Sequence, residues 1–151
     1  MRKRCILLLF LVAAVATTVL PQSNALVDRL LRQDIALFGE TCYLILTAGG
    51  LVSESATVDE CLAILSEQRW GLKEKQNDDL VTIGELSYLI MRSLDVSGGL
   101  MYSLFPSPRY AFKELAFRGL ITEGTGPYRS VSGNEVVHTL GNVMEWKEMY
   151  Q

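Results

Sequence analysis

Few residues in this chain are of the kind that does chemistry. His138 is the only histidine. It lies off the Val136/Leu140/Val143 stripe and three residues after Glu135. No H-E-x-x-H or second ligand at helical spacing accompanies it, so no zinc site is expected. Cys42 and Cys61 sit inside apolar helical patterns, whereas a nucleophilic thiolate needs an electropositive, partly exposed setting. They are open to a disulfide in an oxidising compartment, with burial as small apolar side chains the favoured reading. No C-x-x-C, G-x-S-x-G or phosphate-cradling loop occurs. No cofactor is expected. What remains is an aromatic turn: Tyr102, Phe105 and Pro106, followed by Arg109 and Tyr110. Aromatic faces with an arginine suit a sugar ring or a partner protein. The same side chains would equally serve to close a core beneath the turn.

The elements around that turn are helical. Thr82 and Glu85 form a T-x-x-E capping box, in which each side chain satisfies a backbone donor of the other residue. Leu86, Leu89, Ile90 and Leu94 follow at the spacing of a helix with one buried face. Gly98-Gly99 is expected to supply a left-handed stop. Ser107 caps a further helix with Pro108 at its first position. Upstream, Leu26 to Leu46 reads as one long helix or two short ones interrupted at Gly39 and ending at Gly49-Gly50. A second box, Thr57 to Glu60, opens a helix ending at Trp70-Gly71. Lys73 to Asp79 reads as a solvated loop. A third box, Ser132 to Glu135, opens the last helix. No segment alternates convincingly as a strand, although Leu120-Ile121 or Tyr128–Val131 could pair locally. The fold class is all-α, with about six helices in one domain over residues 26–146 and a frayed polar tail at 147–151.

The N-terminus has the layout of an export signal. Arg2, Lys3 and Arg4 precede a 16-residue apolar run, Cys5 to Leu20, short for a bilayer span of about 20 residues. Pro21 ends the run, and Ser23-Asn24-Ala25 places small residues at the −3 and −1 positions. Residues 1–25 are therefore read as a signal peptide cleaved after Ala25, with an uncleaved anchor as the rival. Cys5 opens the run and does not follow it, so it is no lipobox cysteine. Cleavage removes three cations from a chain whose formal net charge is already −3. An acidic domain without a basic run argues against nucleic acid and against an anionic membrane surface as partners.

The boxes share a frame: a helix ending in Gly-Leu (Gly50-Leu51, Gly71-Leu72, Gly119-Leu120), a loop, [ST]-x-x-E, and an apolar helix. This frame resembles the S-layer homology repeat, in which a helix ends in Gly-Leu or Gly-Ile and Thr-Arg-Ala-Glu opens the next. The likeness covers roughly Gly39–Trp70 and Tyr110–Trp146, with a partial copy at Gly71–Leu94. It implies an exported module that binds cell-wall glycan. The family's ligand-contacting arginine falls on Val58, Ile83 and Gly133 in this alignment, and its Gly-x-x-Asp-Gly-x-Phe-x-Pro loop is missing.

A second, shorter likeness concerns catalysis. Gly99-Leu100-Met101-Tyr102…Pro106 resembles the Gly-Leu-Met-Gln…Pro segment of lytic transglycosylases, and Glu85 lies where that family places its acid. A lone carboxyl serves such a reaction when burial keeps it protonated. The expected glutamine is Tyr102, and the family's other motifs are missing. The sequence thus reads as a periplasmic or secreted, envelope-associated helical binding or scaffolding module. Its partner is an envelope protein or cell-wall glycan, its binding residues are Tyr102, Phe105, Arg109 and Tyr110, and it has no catalytic residues. The alternative is a degenerate peptidoglycan-cleaving enzyme.

Overall fold

The computed structural model describes residues 22–121 and 126–150. The Arg2–Arg4 charge and the apolar run to Leu20 lie outside the described residues. Among those described there are seven helices and no sheet, so the fold is all-α. The helices are α1 (Gln22–Leu31), α2 (Phe38–Ala48), α3 (Val58–Glu67), α4 (Ile83–Ser93), α5 (Leu100–Leu104), α6 (Pro108–Phe117) and α7 (Gly133–Tyr150). Helix α1 spans the Ala25–Leu26 bond. No described helix is long and apolar enough to cross a membrane.

Helices α2, α4 and α7 pack against one another at the centre. The residues just before them close a three-way ring of backbone hydrogen bonds. Ala36 N–H donates to Val131 C=O (2.7 Å), Val131 N–H to Val81 C=O (3.1 Å), and Val81 N–H to Ala36 C=O (3.1 Å). The first helical N–H groups continue the pattern. Phe38 donates to Asp79 C=O, Ile83 to Arg129 C=O and Gly133 to Gln33 C=O. These donors have no partner inside their own helices, and each is satisfied by the loop that enters a neighbouring copy. The expected pairing near Tyr128–Val131 is part of this ring, since Ser130 bridges Thr82.

The ring sets the register of the repeat. Its equivalent N-cap residues are Leu37, Thr82 and Ser132, and the equivalent acids are Glu40, Glu85 and Glu135. Thr57 belongs elsewhere, because it opens α3, an outer helix. Each acid meets a cation: Arg29 at 3.5 Å from Glu40, Lys75 at 2.8 Å from Glu85, and Arg129 at Glu135. Leu37 cannot cap, and Gln33 compensates by accepting from Leu37 N–H at 3.0 Å. Outer helix α3 lies on α2, and α6 lies on α4. The third outer position is taken by α1, which lies on α7, so the start of the described chain completes its far end.

Several local expectations change for reasons of packing. The upstream helix breaks between Leu31 and Phe38, where Ala36 joins the ring, and not at Gly39. Gly39 sits in the first turn of α2, where a Cβ would come within 1.9 Å of Asn77 Oδ1. Helix α4 stops through Asp95, at φ 51°, with Val96 N–H donating to Met91 C=O at 2.8 Å. Gly98 and Gly99 are not left-handed stops. A Cβ on Gly98 would strike the Tyr102 ring at 2.4 Å. Helix α3 reverses at Arg69, φ 51°, and not at Gly71. Gly50 and Gly119 do end their helices at positive φ, with Leu51 and Leu120 bonding back to Leu46 and Leu115. Helix α4 is buried on nearly every side because α2, α6 and α7 all pack on it. The tail is helical through Tyr150: Trp146 stacks on Tyr150 at 5.5 Å, and Lys147 donates to Leu94 C=O.

Both threonine boxes close fully. Thr57 Oγ1 accepts from Glu60 N–H and Thr82 Oγ1 from Glu85 N–H, and each glutamate accepts from its threonine N–H. Thr57→Ala and Thr82→Ala are each expected to destabilise by about 1 kcal/mol. Urea melts of the two variants check this, and a cost indistinguishable from zero at both would refute the capping account.

Candidate functional site

The aromatic turn lies in the connection from α4 to α6, which contains α5. This connection makes the second copy of the repeat five residues longer than the first, counting Ala36 to Val81 against Val81 to Val131. The structure splits the expected binding quartet. Tyr102 is 8% exposed and packs edge-on against Tyr88, with ring centroids 6.2 Å apart. Burial pushes its phenol up to about 12, opposed by Arg92. Its hydroxyl has no hydrogen-bond partner among the described residues. Tyr102 is therefore the anchor that pins α5 to the core. Tyr110 is half-buried, with Lys113 Nζ 5.9 Å from its ring centre. Phe105 and Arg109 are exposed.

Leu100, Met101 and Leu104 accompany Phe105 at the surface. The four are 70%, 56%, 60% and 61% exposed. These three leucine and methionine side chains were missed as site residues. Their signal was present in the unusually apolar stretch Leu100 to Phe105, which a reading for core assigns to the interior. Three hydrogen bonds fix the turn beneath them. Glu114 accepts from Gly99 N–H at 2.8 Å, Arg118 donates to Ser97 C=O at 2.6 Å, and Ser103 donates to Gly98 C=O at 3.2 Å. Arg118 also pairs with Glu114 and lies 4.3 Å over the Trp146 ring. The result is an apolar tip on a held base, with cationic Arg109 and Lys113 exposed on the next helix. A patch of that kind, presented rigidly, has the composition of a protein-docking surface.

The other candidates are placed as follows. Glu85 Oε2 accepts from Thr82 N–H (2.9 Å), Thr82 Oγ1 (2.9 Å) and Lys75 Nζ (2.8 Å). Cys42 and Cys61 are buried free thiols, with Cys42 Sγ 3.9 Å from Cys61 C=O. Burial pushes Cys42 up to about 12 and raises Cys61. Such thiols remain protonated and pack as apolar groups. His138 is exposed on α7. Among the described residues no three His, Cys, Asp or Glu side chains are grouped to hold a metal ion.

No protein-family model matches this chain, and neither a curated protein nor a solved structure matches it.

Proposed function

We propose that this protein is an exported, envelope-associated docking module that binds a partner protein through the α5 tip. The observation that carries the reading is the tip itself. In the lengthened connection, the stretch Leu100 to Phe105 contributes one buried side chain, Tyr102, and displays Leu100, Met101, Leu104 and Phe105. Exposing large apolar side chains on a fixed base disfavours the free protein in water and favours an interface that covers them. The recurrence around the ring supports a repeat module of the S-layer homology kind. In the register set by the ring, that family's arginine position falls on Phe38, Ile83 and Gly133, all buried. The architecture is therefore carried over and the glycan ligand is not. The three donors on Glu85 support a structural role for that carboxylate over the peptidoglycan-cleaving alternative.

The test is capture from whole-envelope extract on immobilised protein, beside sedimentation with purified cell wall. Leu104→Ser with Phe105→Ser is expected to weaken capture at least about tenfold, the loss that follows when a buried anchor worth about 1.4 kcal/mol or more is removed. Thermal melting should be unchanged, since both side chains are exposed. Undiminished capture by the double variant would sink the tip assignment. Release of soluble muropeptides by wild-type protein, lost in Glu85→Gln, would establish the enzyme instead.

A further inference from the structure

A groove of about 460 Å³ runs between α3 and the segment 70–76, well separated in sequence from the α5 tip. Phe38, Leu62, Leu65 and Leu72 give it an apolar floor. Arg69 and Lys73 stand exposed on its rim, with Glu74 as the one exposed carboxylate there. Lys75 also lines it but is engaged by Glu85 and by Leu80 C=O.

The segment itself is unusual. Residues 70–76 are neither helix nor turn. From Gly71 to Lys75 no N–H or C=O makes a backbone hydrogen bond to any described residue. Both ends are nevertheless held. Tyr88 Oη donates to Trp70 C=O at 2.7 Å, Arg92 lies 5.8 Å from the Trp70 ring centre, and Gln76 N–H donates to Asp79 Oδ2 at 2.8 Å. Between these held ends Leu72 to Lys75 present a row of peptide groups without an intrachain backbone partner, a place where another backbone can add. At Gly71, φ +75°, the space around a built Cβ is open, so a second backbone can approach closely.

We infer that this groove binds an extended acidic peptide segment of a partner protein, which pairs its backbone along Leu72–Lys75. Alternate side chains of that peptide enter the apolar floor, and the intervening carboxylates meet Arg69 and Lys73. A peptide fits these features better than a glycan. The groups open to a partner are peptide N–H and C=O, which another backbone engages in a repeating register. Of the two aromatic rings in the groove, Trp70 is half-buried and faces Arg92, and Phe38 is buried with Lys75 Nζ 5.4 Å from its ring centre, so neither is an open platform for stacking a sugar.

The experiment is an NMR titration of the whole protein with a blocked hexapeptide of alternating valine and aspartate. Amide shifts are expected at Gly71 to Lys75, with hydrogen exchange there slowed at least about tenfold when the peptide is in excess. The same peptide N-methylated at alternate residues should lose binding, because it can no longer pair with the edge. Arg69→Glu with Lys73→Glu should weaken the acidic peptide at least about tenfold, as two attractions become repulsions. The N-methyl comparison uses unaltered protein and does not depend on how that variant folds. If an oligouronide moves these amides and the peptide does not, the groove is a glycan site and the inference is wrong. Peptide binding insensitive to both N-methylation and charge reversal would overturn it equally.

Discussion

Alanine at Gly133 is expected to destabilise the fold by about 3 kcal/mol, at the upper end of what overpacking a close contact costs. Gly133 is the first residue of α7, and its N–H donates to Gln33 C=O at 3.0 Å. A Cβ built there would lie 1.6 Å from Leu30 C=O. The obstacle is backbone, held by the α1–α7 packing, and cannot rotate aside as a flexible side chain would. Relief requires α1 to move off α7, which uncovers Leu30 and disturbs one corner of the ring. Gly141 in the same helix is the internal control. Nothing lies within 4 Å of a Cβ there, so Gly141→Ala should stabilise by roughly 0.5–1 kcal/mol through helix propensity alone. Urea melts that fail to separate the two substitutions in sign would show that α1 does not approach α7 as described.

A chain beginning at Leu26 is expected to unfold cooperatively, and one beginning at Arg32 to lose cooperative folding. The shorter chain lacks the outer helix of the third copy. Leu30 is 1% exposed, and deleting a fully buried leucine costs about 2–5 kcal/mol by itself. Loss of α1 also uncovers its face of α7 and removes Arg29 from Glu40. Together these are comparable to the whole stability of a small domain, about 5–15 kcal/mol. The longer chain keeps Leu26, Arg29 and Leu30, so cleavage after Ala25 is compatible with a closed ring. Near-UV circular dichroism and urea melts of the two chains provide the check. A cooperative melt from the Arg32 chain would mean that α1 is dispensable.

Both results turn on contacts between residues about a hundred positions apart, and this marks the boundary of what could be read from the sequence. The boxes at Thr57 and Thr82, the stops at Gly50 and Gly119, and Pro108 at the head of α6 were all legible. Each is a transaction among residues within one or two helical turns, so type and spacing suffice. The all-α class followed for the same reason, since apolar periodicity is local. The register of the repeat was not legible. At Leu37 the capping residue is replaced by a leucine, and Gln33 and the ring hydrogen bonds perform its work, which no [ST]-x-x-E pattern reveals. Gly39 looked like a break, Gly98 like a stop and Gly133 like an inner residue of a box, yet the lack of a Cβ admits Asn77, Tyr102 and Leu30 at these three positions. Asp95 carries a left-handed turn between buried Leu94 and Val96, and Arg69 carries another just before half-buried Trp70. The binding quartet divided likewise: only the fold decides that Tyr102 points into the core beside Tyr88 while Phe105, three residues later, points out. Side-chain chemistry and helix period are properties of a segment. Which face of a segment meets water depends on what the rest of the chain brings against it.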